Sequence, residues 1–81
     1  MSSLEKLIER LREPNRDVGW SFGELCGLLQ RLGFEMRVHG SHHFFRRSGV
    51  MGVINLQPRG GQAKPYQVRQ VRRVLTDQGL L

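Results

Sequence analysis

The sequence has 81 residues, which is enough for one domain and too few to enclose a large buried pocket. Its 13 Lys and Arg residues exceed seven acidic residues, giving a net charge of +6. Cys26 is the single cysteine, which excludes an internal disulfide and a cysteine metal cluster. No apolar run approaches the ~18 residues of a membrane helix. We therefore expect a cytoplasmic protein that acts through its surface and has no membrane partner.

Two helices are predicted in the first third of the chain, from Ser2 to Glu13 and from Ser21 to Leu32. Each begins with a serine followed three residues later by glutamate, which is the capping-box pattern. Pro14 ends the first helix, and residues 15–20 form a short linker. The apolar stripe of the first helix consists of Leu4, Leu7, Ile8 and Leu11. We expect this stripe to pack on the core, although docking onto a partner is the alternative.

Three strands follow, joined by glycine turns. The alternation from Phe34 to His39 predicts a half-buried strand, and Gly40-Ser41 predicts a turn. His42 to Arg47 is the partner strand, and Val53 to Gln57 is the third. Tight turns between successive strands indicate an antiparallel meander.

The last predicted helix runs from Pro65 to Leu75, after a loop over residues 58–64. Its spacing places one set of side chains inward, namely Val68, Val71, Val74 and Leu75, and another outward, namely Arg69, Arg72 and Arg73. The predicted fold class is α+β, and residues 1–81 form a single domain. The element order is helix, helix, three strands, helix.

The positive charge is concentrated in the second part of the chain. Residues 36–81 contain eight basic residues and a single acidic one, a net charge of +7. Most of these cations are arginine, whose planar guanidinium makes two-pronged contacts with phosphate. We expect a polyanionic partner. A basic surface without any partner is the alternative.

The histidines lie within this cationic part, in the segment RVHGSHHFFRRSG. A metal site is disfavoured, because adjacent strand residues point to opposite faces and His42 and His43 cannot share one ion. A structural role is the simplest interpretation of His39 or His43 alone. The third interpretation is acid–base chemistry, since a free imidazole titrates near pH ~6.5 and RNA carries its own 2′-hydroxyl nucleophile. Residue chemistry alone does not choose the acting histidine.

Three aromatic residues allow two roles each. One of Phe44 and Phe45 is expected in the core, and the other is free to stack on an unpaired base. Strand alternation puts Phe44 on the face of His42 and Phe45 on the face of His43, which does not decide between them. Trp20 is predicted to pack where the second helix begins.

Two stretches of the chain resemble the HicA family of mRNA interferase toxins from toxin–antitoxin systems. They are FGELCGLLQRLGFEMRVHGSHHFFRR and GVINLQPRGGQAKPYQVRQVRRVL, and the resemblance covers about residues 22–81. It implies a double-stranded-RNA-binding-like core over residues 21–81, with residues 1–14 as an additional N-terminal helix. It also implies an mRNA substrate and a HicB-type antitoxin partner.

The resemblance also carries roles to single residues. The resemblance implies that the first histidine of the GSHH motif, His42, is catalytic. It also implies that Gly40 and Ser41 shape the turn of the motif. Lys64 lies where related folds contact phosphates. The full set predicted to bind RNA is Arg46, Arg47, Arg59, Lys64 and Arg69.

The leading hypothesis is a metal-independent endoribonuclease toxin that needs no cofactor. One alternative is a noncatalytic RNA- or DNA-binding module that uses the same charges without turnover. Another is an interaction protein whose basic surface serves to bind an acidic protein. Cleavage of RNA in EDTA separates the first hypothesis from both alternatives.

Overall fold

A computed structural model describes residues 2–81, and within that range it contains three α-helices, one 3₁₀ turn and three strands. The α-helices are α1 (Ser3–Arg12), α2 (Phe22–Arg31) and α3 (Pro65–Asp77), and the 3₁₀ turn is Pro14–Arg16. The strands are β1 (Glu35–His39), β2 (His42–Arg46) and β3 (Ile54–Leu56). This order confirms the predicted α+β class, with a helix–three strands–helix core and an additional N-terminal helix.

The helices begin where the sequence predicts. Ser21 and Glu24 form a reciprocal capping box, with N···O distances of 2.9 and 3.0 Å. At α1, the Glu5 amide donates to the Ser2 hydroxyl at 3.2 Å. Pro65 is at the start of α3, where its missing N–H is not needed. Within residues 2–81, no helix has both the length and the apolar character needed to cross a bilayer.

The sheet is an antiparallel meander in the order β1-β2-β3, as predicted. β2 is the central strand, and its Phe45 pairs with Met36 on one side and Ile54 on the other. β3 is shorter than the predicted strand, because the register pairs it only with residues 43–45 of β2.

The prediction that the first strand is half-buried was wrong. Phe34 is buried, but it precedes β1, and all five residues of β1 are exposed. Met36 and Val38 remain 36% and 49% exposed. Their alternation is typical of a strand with one covered face. The core, however, packs on the other two strands, because the buried strand residues, Phe45, Ile54 and Leu56, all lie on β2 and β3.

The hydrophobic core lies between β2, β3 and the helices, and α1 is part of it. The fully buried side chains include Trp20, Leu25, Leu28, Leu29, Phe45, Val68, Val71 and Leu75. From α1, Leu11 is fully buried, and Leu4, Leu7 and Ile8 pack against the same cluster partly exposed. This confirms that the first stripe packs on the core. Trp20 is confirmed as a packing residue, and its indole N–H donates to the Arg16 carbonyl at 3.0 Å.

An ion pair joins the linker to α3. Arg72 donates to both carboxylate oxygens of Asp17, at 2.6 and 3.0 Å, and to the Leu11 carbonyl at 3.1 Å. The prediction that Arg72 faces outward was wrong, since its side chain is only 17% exposed. Helical spacing cannot reveal a partner 55 residues away. The hydrogen bonds from Arg72 lower the pKa of Asp17 below its ordinary range, although burial opposes the shift.

Candidate active site

The paired histidines lie at the hairpin end of β2 and point to opposite faces of the sheet. His39 pairs with His42 directly across the two-residue turn. His42 is exposed, whereas His43 is half-buried. The ring of His43 contacts Phe22 of α2 edge-on, with 4.8 Å between the ring centroids. The opposite orientation of the two imidazoles confirms the prediction from strand alternation.

The imidazole of His43 is held in one orientation. Its Nδ1 lies 3.1 Å from the carbonyl oxygen of Ser41. A carbonyl oxygen only accepts hydrogen bonds, so we assign the proton of the neutral ring to Nδ1. Nε2 then carries the free lone pair that a general base requires.

A chain of amide contacts, the turn network, links the hairpin turn to α3. Gln57 donates to the Ser41 hydroxyl at 2.8 Å, and Gln67 donates to the Gln57 carbonyl at 2.8 Å. The backbone amide of Lys64, at the start of α3, donates to the side-chain oxygen of Gln67 at 3.1 Å. Gln67 is 2% exposed, so this polar contact is inside the fold. The network fixes the turn that carries the histidines relative to the cationic start of α3.

Sequence reasoning missed Gln57 and Gln67. Their hydrogen bonds join residues 16 and 10 positions apart, and neither glutamine stands in a recognisable motif. The one available signal was Gln67 three residues after Lys64, which is the capping-box spacing.

The sheet surface that points away from the core is termed here the open face. It carries Glu35, Arg37, His39, His42, Phe44, Arg46 and Asn55. Phe44 lies in the middle, between its register partners Arg37 and Asn55. Its ring centroid is 5.9 Å from that of His39 and 6.1 Å from that of His42. An open groove of about 740 Å³ runs over this surface.

The structure decides between the two adjacent phenylalanines. Phe45 is fully buried in the core, and Phe44 lies half-buried on the open face. The placement follows from register, because Phe45 pairs with the buried Ile54. Phe44 is therefore the aromatic residue left available to a ligand.

The five cations predicted to bind RNA do not share one surface. Arg46 lies on the open face, whereas Arg47 lies over Gly33 at the end of α2. Arg59 is exposed in a tight turn with Gln62, and Lys64 is exposed at the start of α3. Arg69 points toward Asp17, with 3.9 Å between guanidinium and carboxylate.

The open face also carries a cation that was not among the residues predicted to bind RNA. Arg37 is exposed on β1 directly opposite Phe44. The sequence offered its charge as a signal, but its placement beside Phe44 depends on the register of β1 and β2.

Cys26 packs as an apolar side chain, as predicted, and is 7% exposed. Burial raises the pKa of its thiol to about 11. The thiolate form that a nucleophile needs is therefore scarce at neutral pH.

A family model described as the HicA toxin of bacterial toxin–antitoxin systems matches residues 22–80. The chain belongs to the HicA toxin family. The membership identifies it as the toxin of a toxin–antitoxin pair and implies an antitoxin partner. No curated protein and no solved structure matched the sequence. The match begins at Phe22, so α1 and the linker of this HicA toxin lie outside the matched region.

Substitution of Gly40 is expected to disturb the histidines through the turn. Gly40 has φ +61°, and it is the first residue of the two-residue loop between His39 and His42. An L-residue with this φ costs ~1–2 kcal/mol. We expect Gly40→Ala to lower the free energy of unfolding by about that amount, measured by urea denaturation, and to lower toxicity.

Gly23→Ala is the matched control for this prediction. Gly23 is exposed within α2, and an added Cβ there meets no heavy atom within 4 Å. Helix propensity predicts a gain of up to ~1 kcal/mol. Equal losses at Gly40 and Gly23 would contradict the role assigned to the turn.

Proposed function

We propose that this HicA toxin is a metal-independent endoribonuclease that cleaves mRNA and is inhibited by a HicB-type antitoxin. The observation that carries the proposal is the imidazole pair at the end of the β1–β2 hairpin, within the part of the chain whose net charge is +7. One ring is exposed beside cations, and the other is oriented by a hydrogen bond. Family membership as a toxin supports a lethal activity of this kind.

The chemistry uses the substrate's own nucleophile. An imidazole removes the proton of a 2′-hydroxyl, and the 2′-oxygen forms a bond to the adjacent phosphorus. The bond from phosphorus to the 5′-oxygen breaks, and that oxygen takes a proton from water or from a second imidazole. The products are a 2′,3′-cyclic phosphate and a 5′-hydroxyl. Guanidinium groups stabilise the charge that develops on the phosphate oxygens.

His42 is the catalytic residue that the family resemblance implies, acting as general base or general acid. It is exposed, so a phosphodiester can reach its ring without any rearrangement of the fold. It shares the open face with Arg37 and Arg46, which can bind the flanking phosphates. No hydrogen bond orients its ring in the structure of residues 2–81, so substrate contacts would have to do so.

His43 is a second candidate, and a specific observation favours it. The contact from its Nδ1 to the Ser41 carbonyl fixes the tautomer that leaves Nε2 as a base. The turn network connects the same turn to Lys64, which would supply a phosphate contact. With this base, RNA would approach along the α2 and α3 side of the hairpin.

The noncatalytic alternative uses the same surface without turnover, and an acidic antitoxin would compete for it. Charge complementarity between residues 36–81 and a polyanion supports binding in every case. Only the fate of the RNA distinguishes the two functions.

The test is to incubate purified protein with end-labelled RNA in EDTA. We expect shortened products that carry a 2′,3′-cyclic phosphate. A matched RNA with 2′-deoxyribose on the 5′ side of each cleaved bond should bind and stay intact, because its nucleophile is missing. Intact RNA in a retarded band for both substrates would select the noncatalytic module and refute the nuclease.

A further inference from the structure

Phe44 is a large aromatic side chain that is not part of the hydrophobic core. It is in the central strand but on the open face, half-buried between Arg37 of β1 and Asn55 of β3. Its neighbour Phe45 supplies the core contact of this part of β2. The ring of Phe44 is therefore part of an outward-facing surface.

The groups around Phe44 match the parts of a nucleotide. The imidazoles of His39 and His42 lie within about 6 Å of its ring centroid and widen the aromatic surface. Arg37 lies opposite Phe44 on β1, and Arg46 lies two residues further along β2 on the same face. The Asn55 amide on the other side can donate and accept hydrogen bonds at a base edge.

We propose that the open face is a subsite for single-stranded RNA, in which Phe44 stacks on an unpaired base while Arg37 and Arg46 bind the neighbouring phosphates. The inference rests on the proposed function in taking RNA as the ligand. Beyond the proposed function, it states where the RNA binds and that the bound segment is single-stranded. Any base presents a flat face for stacking, so this contact holds the strand without selecting its sequence.

The groove favours a single strand over a duplex. A base within a duplex is covered by its neighbours on both faces and cannot stack on a side chain. Stacking on Phe44 therefore requires a base that has left its helix. Among the charged residues that line the groove, Glu35 is the one carboxylate beside Arg37 and Arg46, so the local charge suits a phosphate backbone.

The experiment measures binding of a short labelled RNA with 2′-O-methyl ribose throughout, which the enzyme cannot cleave, by fluorescence anisotropy. We expect Phe44→Leu to raise the Kd for the single strand about 5- to 150-fold, the range found when base stacking is removed. Phe44→Trp should keep the affinity, because it keeps the aromatic face. The Kd for a duplex of the same sequence should be equal in wild type and Phe44→Leu.

Tyr66→Leu is the matched control, since Tyr66 is an aromatic residue of α3 that is 52% exposed. It should leave the Kd for the single strand unchanged. Urea denaturation establishes that each variant is folded before its Kd is interpreted.

Several outcomes would overturn the subsite. They are an unchanged Kd for Phe44→Leu, equal losses for the single strand and the duplex, or a loss with Tyr66→Leu alone. A loss of antitoxin binding with full RNA binding would make the open face a protein interface instead. If the wild type cleaves RNA and Phe44→Leu binds normally, only the subsite fails. If the wild type neither binds nor cleaves RNA, the proposed function fails with it.

Discussion

Replacing His42 and His43 together by alanine is expected to lower the rate of RNA cleavage by about 10²–10⁴-fold, the usual worth of general acid–base catalysis. Both rings are at the turn end of β2, and neither belongs to the fully buried core. The fold should therefore survive the loss of both. Cleavage of end-labelled RNA by the purified variant is the measurement, with the midpoint of thermal unfolding as the check on folding.

The two single variants show which histidine is responsible for the lost cleavage rate. The family resemblance predicts that His42→Ala loses most of the rate and that His43→Ala loses much less. The hydrogen bond from His43 to Ser41 predicts the reverse, because it prepares Nε2 as a base in the free protein. A large loss in both single variants would indicate that one imidazole acts as the base and the other as the acid.

His39→Ala is the control for the histidine series. His39 is the register partner of His42 and is also exposed, but it belongs to β1 and lines the groove from that strand. We expect the cleavage rate of His39→Ala to fall by less than about tenfold, through weaker RNA binding only. Full cleavage and full toxicity in the double variant would refute catalysis by His42 and His43.

Local patterns predicted the elements because the interactions that define them are local. The capping box joins Ser21 and Glu24, three positions apart, and the turn at Gly40 contains two residues. The opposite faces of His42 and His43 follow from the pleat of any strand. These features needed no knowledge of what lies across the fold.

The features that the sequence did not reveal all depend on register or on distant partners. Alternation allowed either Phe44 or Phe45 to be the core residue, and pairing with Ile54 decided it. Val38 alternates as a core residue would, but the core packs on β2 and β3 and leaves Val38 of β1 exposed. The turn network is invisible for the same reason, since its glutamines meet only when α3 has packed.

The same reason applies to the segment before the family match. Residues 15–20 were predicted to be a linker in which Trp20 alone packs, whereas the structure also buries Asp17 there. The guanidinium of Arg10 lies 4.2 Å from the centroid of the Trp20 ring and forms an ion pair with Glu24 at 3.1 Å. α1 is thus joined to α2 through Arg10 and to α3 through the Leu11 carbonyl, which accepts a hydrogen bond from Arg72.

Removing the carboxylate of Asp17 is expected to destabilise the fold strongly. Asp17→Ala leaves the guanidinium of Arg72 without its partner in a site where both side chains are less than one-fifth exposed. Breaking a buried pair from one side costs about 3 kcal/mol. Urea denaturation at pH 7 measures the loss, and Asp77→Ala, at an exposed position near the end of α3, should change stability by less than ~0.5 kcal/mol.

The pH dependence gives this pair a second signature. Arg72 holds the folded pKa of Asp17 below the ordinary value of 3.8, so the carboxylate stabilises the fold at every pH above that value. The contribution is lost as the pH falls through the folded pKa, where Asp17 takes up its proton. We therefore expect the gap in unfolding free energy between wild type and Asp17→Asn to be constant near neutral pH and to close below pH 3.8.

Glu24 also has a lowered pKa, chiefly through its hydrogen bond with the Ser21 amide. Some acid sensitivity should consequently persist in Asp17→Asn, and the comparison of the two proteins isolates the part due to Asp17. A gap that stays the same down to pH 2 would show that Asp17 contributes no ionic stabilisation. In that case the attachment of α1 to the toxin core would depend on its apolar stripe, on the ion pair of Arg10 with Glu24 and on the hydrogen bond from Arg72 to the Leu11 carbonyl.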